Sequence, residues 1–215
     1  MHYYSSKSCR EALLKAALAE FDKGVKDTQP GYEGDIETIG GYYRAVGGWW
    51  NTYLDKYGDG AYKEVYIVDG DRRYMSWCGI FVAYCGLKVG DFIADDQCVP
   101  LSLKRPVAAE VMPSTYRLSR MGKWEATSDV LPKKPSAQDI QPGDIVVVGD
   151  DKPYGDHITL AVEEPDRGKV LTVSGNVSNA RLGDGTIGEG VGKKEYDFDD
   201  IARVYRLVTG HFEEE

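Results

Sequence analysis

The sequence predicts an α+β domain in which one buried helix packs on an antiparallel sheet, with further helices ahead of it in the chain. Three observations lead there. "WCGIFVAYCGLKV" (Trp77 to Val89) is apolar almost all the way round, the pattern of a helix buried on most faces. After "QPGD" the hydrophobic period changes to that of strands, in "DIVVVGD", "HITLAVEE", "KVLTVSGN" and "ARVYRLV". Gly, Pro and Asp turns separate these runs, and reading them as short connections makes the expected arrangement an antiparallel meander.

In chain order, Ser8 to Lys23 reads as an amphipathic helix, with Leu13, Leu14, Ala17, Leu18 and Phe21 on one stripe. Ser8 is its expected N-cap, Glu11 completes a capping box, and Gly24 ends it. The segment from Gly31 to Tyr62 is rich in Gly, Tyr and Trp and is expected to hold a second helix around Tyr43 to Tyr57, with Trp49 and Trp50 as packing residues. "EVYIVDGDRRYM" reads as a short strand and a turn leading into the cysteine helix, which Gly90 would end. Asp91 to Asp139 reads as surface elements with one short helix around Pro113 to Met121. The expected organisation is a helical N-terminal extension over residues 1–62 packed on a core over 63–215, together one compact unit.

Composition narrows the function. The 215 residues carry a formal charge of −9, which repels phosphate backbones and argues against nucleic acid as a ligand. Fifteen Tyr against five Phe suggest half-wet surfaces, such as the wall of a groove for something polar. Tyr42, Tyr43, Trp49 and Trp50 are candidates to line one. The four cysteines (Cys9, Cys78, Cys85, Cys98) form no CxxC pair and have no His-rich partner segment, so a zinc site is not expected. Cys78 and Cys85 stand two helical turns apart, roughly 10 Å, too far for a disulfide. Cys9 and Cys98 are left open as a pair, and the usage fits a reducing compartment. The N-terminus lacks a basic region followed by an apolar one, so a chain made in the cytoplasm without a Sec signal is expected, reaching the cell wall or periplasm by non-Sec export or by lysis. No apolar run is long enough to span a membrane, and a monomer is expected.

The chemistry-bearing candidate is Cys78, in the first turn of the buried helix. A thiol attacks as thiolate, which a helix N-terminus and a neighbouring imidazole both favour. The chain has three histidines, and His2 and His211 lie near its ends, so His157, at the start of a strand, is the candidate base. The next strand ends in "VSGNVSN", which in a meander brings Asn176 beside His157 as an orienting acceptor, with Ser174 on the same face. Cys85 reads as core. The residues alone leave an inert buried thiol and an incidental strand histidine open as the alternative.

"SWCGIFVAYCGLKVG" resembles the "WCAxFVxxxxxxxG" segment of the CHAP and NlpC/P60 superfamily of papain-like cell-wall amidases and endopeptidases. "QPGDIVVVG" is similar to their "PGDIVVF" strand, "DHITLAVEE" to their "GHVGIVVG" strand, and "VSGNVSN" to the "GGNxSN" strand of the CHAP-like branch. "YRLSRMGKW" is similar to the "SWxxWGK" stretch that often precedes the sheet. The resemblance implies a papain-like fold with Cys78 as nucleophile, His157 as general base and acid, and Asn176 orienting the imidazole. Several CHAP enzymes carry Glu where this chain has Ser174, and Asp156 stands where the family has Gly, beside the base. Trp77 is an auxiliary candidate, and Tyr66 or Tyr74 would be the oxyanion hydroxyl by analogy with some NlpC/P60 members. The implied substrate is an amide in the peptide part of peptidoglycan, and the implied chemistry needs neither metal nor organic cofactor. A phage lysin and an antibacterial effector injected into a rival's periplasm both fit, the second implying a cognate immunity protein. The alternatives are a papain-like protease, deamidase or acyltransferase on another substrate, or a non-catalytic binding module.

Overall fold

The structure is a computed structural model and describes residues 6–27, 34–46, 55, 66–68, 71–73, 77–88, 124–126, 140–149 and 157–207. Helix α1 spans Ser6–Asp22. Its buried residues Leu13, Leu14, Ala17 and Phe21 are the stripe read from the sequence, widened by Ala12 and Ala16. It begins ahead of Ser8, which therefore lies inside the helix and not at its cap. Gly24 closes it at φ +69, its N–H donating to the Phe21 carbonyl at 2.9 Å.

Helix α2 spans Ile36–Val46, well ahead of the expected Tyr43 to Tyr57. Two glycines in "IETIGGYYRAV" lower its helix propensity, but Ile39, Tyr42 and Tyr43 are buried among the helices, and that packing decides the outcome. Strands β1 (Tyr66–Val68) and β2 (Asp71–Arg73) pair antiparallel, so the expected strand and turn is a hairpin. Helix α3 spans Cys78–Leu87 and buries eight of its ten residues. Its C-cap Lys88 donates its backbone N–H to the carbonyls of Tyr84 and Cys85.

The sheet comprises β3 (Trp124–Ala126), β4 (Ile145–Val148), β5 (His157–Ala161), β6 (Lys169–Leu182), β7 (Ile187–Asp197) and β8 (Ile201–Leu207), in spatial order β3-β8-β4-β5-β6-β7. All pairings are antiparallel. This corrects the simple meander in two ways. Strand β7, unexpected from sequence, forms a long hairpin with β6. The last strand also returns to the far side of β4, with Val148 paired to Ile201, after a 3-10 turn at Phe198–Asp200 whose Asp200 carbonyl accepts from Gly149 N–H.

Local chemistry explains the turns. "QPGD" closes with Asp144 N–H on the Gln141 carbonyl at 3.0 Å, Pro142 second and Gly143 at φ +82 third, as a type II turn requires. The β5–β6 hairpin closes at Asp166 and Lys169 through Arg167 (φ 50) and Gly168 (φ 79), both left-handed, which is a type I′ turn.

The sheet buries both faces. Ile145, Val147, Ile158, Leu160, Val173 and Val191 share one core with α1, α2 and α3. Val146, Val148, Ala161, Val170, Ile201 and Val204 form a second core with Ile140, flanked by Tyr196 and Phe198. After α1 the chain pairs along β7: Lys26 bridges Gly190, and Val191 N–H donates to the Val25 carbonyl. No helix among the described residues is long and apolar enough to cross a membrane.

Candidate active site

Cys78 is the first residue of α3 and is only 6 % exposed. Trp77 is the N-cap and supplies no side-chain capping bond; the first turn of a helix carries partial positive charge, and Cys78 stands in it. The helix start is fixed from both sides. The indole of Trp77 is fully buried, and its Nε1–H donates to Asp27 Oδ2 at 2.8 Å, on the segment that pairs with β7. On the other side it lies on Gly175 of β6, where a Cβ would stand 2.3 Å from Cζ3 and 2.6 Å from Cε3 of the indole, and 2.7 Å from Cβ of Phe81. Glycine at 175 lets α3 sit down on the strand. Trp77 is thus a buried anchor beneath the site.

Register places the other groups. Leu160 of β5 pairs with Val173 of β6, and the His157 ring at the start of β5 reaches the hydroxyl of Ser174, next to Gly175. Helix α3 therefore begins at the level of the sheet where His157 opens β5. Strand alternation sets Ile158 and Leu160 toward the helices and His157 toward the second core.

The hydrogen bond found on the imidazole goes to Ser174: His157 Nε2 and Ser174 Oγ are 2.8 Å apart. Ser174 is 1 % exposed, whereas His157 is half-buried. Asn176 is half-buried and holds a left-handed φ of 56 at a register shift between Ser174 and Val177, where two residues of β6 face one of β7. Tyr66 opens β1. Tyr74, Asp156, Trp49, Trp50, Cys98 and the expected helix at Pro113 to Met121 lie outside the described residues.

Sequence reasoning missed Tyr196, on β7 opposite Val170. Its ring centroid lies 6.3 Å from that of His157 at an interplanar angle of 40°. Burial, then the charges of Cys78 and Asp200, push its phenol up to about 12. The signal in the sequence is slight, one aromatic residue in the charged run "GKKEYDFDD".

One expectation is corrected, and the reading of Cys85 as core agrees with its burial. Tyr42 and Tyr43 do not line a groove; they are 2 % and 0 % exposed. The Tyr42 hydroxyl donates to buried Glu20 at 2.9 Å, and its ring packs on Tyr84, Phe81 and Trp77. Cys85 is fully buried beside this group, and burial holds its thiol well above the ordinary range. The described residues contain no cluster of His, Cys, Asp or Glu that could hold a metal ion.

No protein-family model matches the chain, and no curated protein does. Among solved structures, the wild-type endolysin LysIME-EF1 aligns at a TM-score of 0.35 and 17% identity, over 80% of this chain and 63% of that one. Ly7917 aligns at 0.28 and 13%, over 47% and 40%. Ly7917 with the hydrolyzing product of MDP aligns at 0.36 and 12%, over 92% and 62%. The chain spans less than two thirds of the length of each.

Proposed function

We propose that this chain is a cysteine hydrolase that cleaves an amide in the peptide part of peptidoglycan, with Cys78 as nucleophile and His157 as base and acid. The observation that carries the reading is the bond from His157 Nε2 to the buried Ser174 hydroxyl, at the level of the sheet where α3 begins with Cys78. A histidine that serves as base through Nδ1 carries its proton on Nε2, and that N–H then donates to Ser174 Oγ. Ser174 is the orienting residue in this scheme, with Asn176 beside it on the same strand.

The steps follow. Nδ1 takes the proton of the Cys78 thiol, and the thiolate adds to the substrate carbonyl carbon. The first-turn amides of α3 hold the oxyanion. The imidazolium gives its proton to the leaving nitrogen, the C–N bond breaks, and a thioester remains. A water, deprotonated at Nδ1, adds to the thioester, and the thiol leaves with a proton returned to sulfur. Ser174 is uncharged, so it fixes the ring without adding charge to the thiolate–imidazolium pair.

The substrate class comes from the resemblance of the cysteine, histidine and asparagine segments to CHAP and NlpC/P60 enzymes. A phage lysin or an antibacterial effector is the setting; an effector would be held in check by an immunity protein over the site.

Purified sacculi digested with wild type and Cys78→Ala in parallel test the proposal. Wild type should release peptide fragments whose ends identify the bond, and Cys78→Ala should release none while unfolding at nearly the same denaturant concentration. Equal release by the two overturns cysteine catalysis. An active thiol with no release moves the reading to a papain-like protease, deamidase or acyltransferase on another substrate.

A further inference from the structure

We infer that Tyr196 is a positioning residue for His157, its ring packed beside the imidazole so that the Ser174 hydrogen bond and the aromatic contact together fix the plane of the base. The inference rests on the Cys78–His157 reading and adds to it a residue from a third element.

One hydrogen bond does not fix a ring. Tied to the backbone through Cβ and held at Nε2 by Ser174 Oγ at 2.8 Å, the imidazole can still rock by coupled changes of χ1 and χ2, which moves Nδ1. A flat neighbour stops that rotation. Tyr196 supplies one, 6.3 Å away between centroids and tilted by 40°, inside the 4.5–7 Å range of aromatic pairs.

Tyr196 is itself held. It is paired across the strands to Val170, on the sheet face that Ser174 shares by alternation along β6, and it packs against the second core. The ammonium of Lys194 stands 5.5 Å from its ring centroid and is anchored on the Ser178 carbonyl at 3.1 Å. A phenol raised to about 12 stays protonated wherever the histidine works, so it neither takes the thiol proton nor adds a charge. The ring, and not the hydroxyl, is what the site uses.

Nuclear magnetic resonance of the histidine side chains tests this without a substrate. In wild type, cross-relaxation between the ring protons of Tyr196 and His157 should be seen. The His157 nitrogen shifts should report a single tautomer, protonated on Nε2. Tyr196→Phe should keep both features and the wild-type turnover. Tyr196→Met, which keeps the bulk and loses the ring, should move the His157 shifts toward a mixture of tautomers. It should also lower kcat about 10- to 100-fold, the cost of a base misplaced by about 1 Å, with KM held within about threefold.

Absent ring-to-ring cross-relaxation in wild type overturns the inference even if no variant folds. So does a folded Tyr196→Met with unchanged nitrogen shifts and kcat, or a Tyr196→Phe as impaired as Tyr196→Met. Failure of the parent reading looks different: Cys78→Ala would retain turnover whatever the His157 resonances show.

Discussion

Gly175→Ala is expected to destabilise this protein strongly, because the site's geometry depends on how closely α3 approaches β6. The added Cβ would meet Cζ3 and Cε3 of Trp77 at 2.3 and 2.6 Å and Cβ of Phe81 at 2.7 Å. None of these atoms can yield easily: Trp77 and Phe81 are both fully buried, and the indole is tied to Asp27 through Nε1. Overpacking a filled core costs about 1–3 kcal/mol, and three simultaneous contacts put this substitution near the top, about 3 kcal/mol. Urea unfolding at constant m gives the number. A double-mutant cycle with Trp77→Leu gives the cause, since leucine removes the two indole atoms in the way. The cost of Gly175→Ala should fall in the Trp77→Leu background by about 2 kcal/mol, the coupling of residues in direct contact. A cost below about 1 kcal/mol in the wild-type background, or the same cost in both, would refute the reasoning.

Two other outcomes follow from the same geometry. Ser174→Ala removes the partner of His157 Nε2; kcat should fall about 10- to 100-fold without being abolished, because the hydroxyl orients the base and does no chemistry itself. Steady-state assay with sacculus fragments checks this, and unchanged kcat refutes it. Tyr42→Phe concerns alkaline stability. Burial and Glu20 hold the Tyr42 hydroxyl well above the ordinary phenol value, whereas the unfolded chain ionises near pH 10. The native state binds the proton more tightly, so the stability this group contributes is full below about pH 10 and is lost as pH rises beyond it. Urea midpoints measured from pH 8 to 11 should decline above pH 10 in wild type and decline less in Tyr42→Phe. Parallel curves contradict the argument.

The helix that carries Cys78 was legible because its apolar residues cover every face, and the edges of β4, β5 and the start of β6 were legible from β-branched runs set between turn residues. Strand β7 was not, for a physical reason. "IGEGVGKKEYD" alternates glycines where a strand usually alternates hydrophobic residues. Two of them are required by close approach: a Cβ on Gly190 would stand 2.2 Å from the Val25 carbonyl oxygen, and one on Gly192 would stand 2.7 Å from Cβ of Ala180. Periodicity in hydrophobicity is blind to a strand whose alternate positions are filled by a neighbour's atoms. The place of β8 was illegible too, since nothing in "ARVYRLV" says which edge it joins. At the candidate site, the cysteine and histidine stood out by position and scarcity. Ser174 was seen only as a companion of Asn176, because alternation puts both on one face and cannot rank their bonds to the ring. Tyr196 was invisible, because no spacing in the chain signals that β7 brings an aromatic ring to His157.

The central claim, that His157 activates Cys78, is tested most directly by the rate at which iodoacetamide alkylates Cys78 at pH 6 in wild type and in His157→Ala, followed by peptide mapping. An ordinary thiol near pKa 8.5 is only about 0.3% thiolate at that pH, so a pair poised as thiolate and imidazolium should react at least about tenfold faster. Wild type should show that difference, and His157→Ala should lose it. Equal, slow alkylation of the two proteins would contradict it.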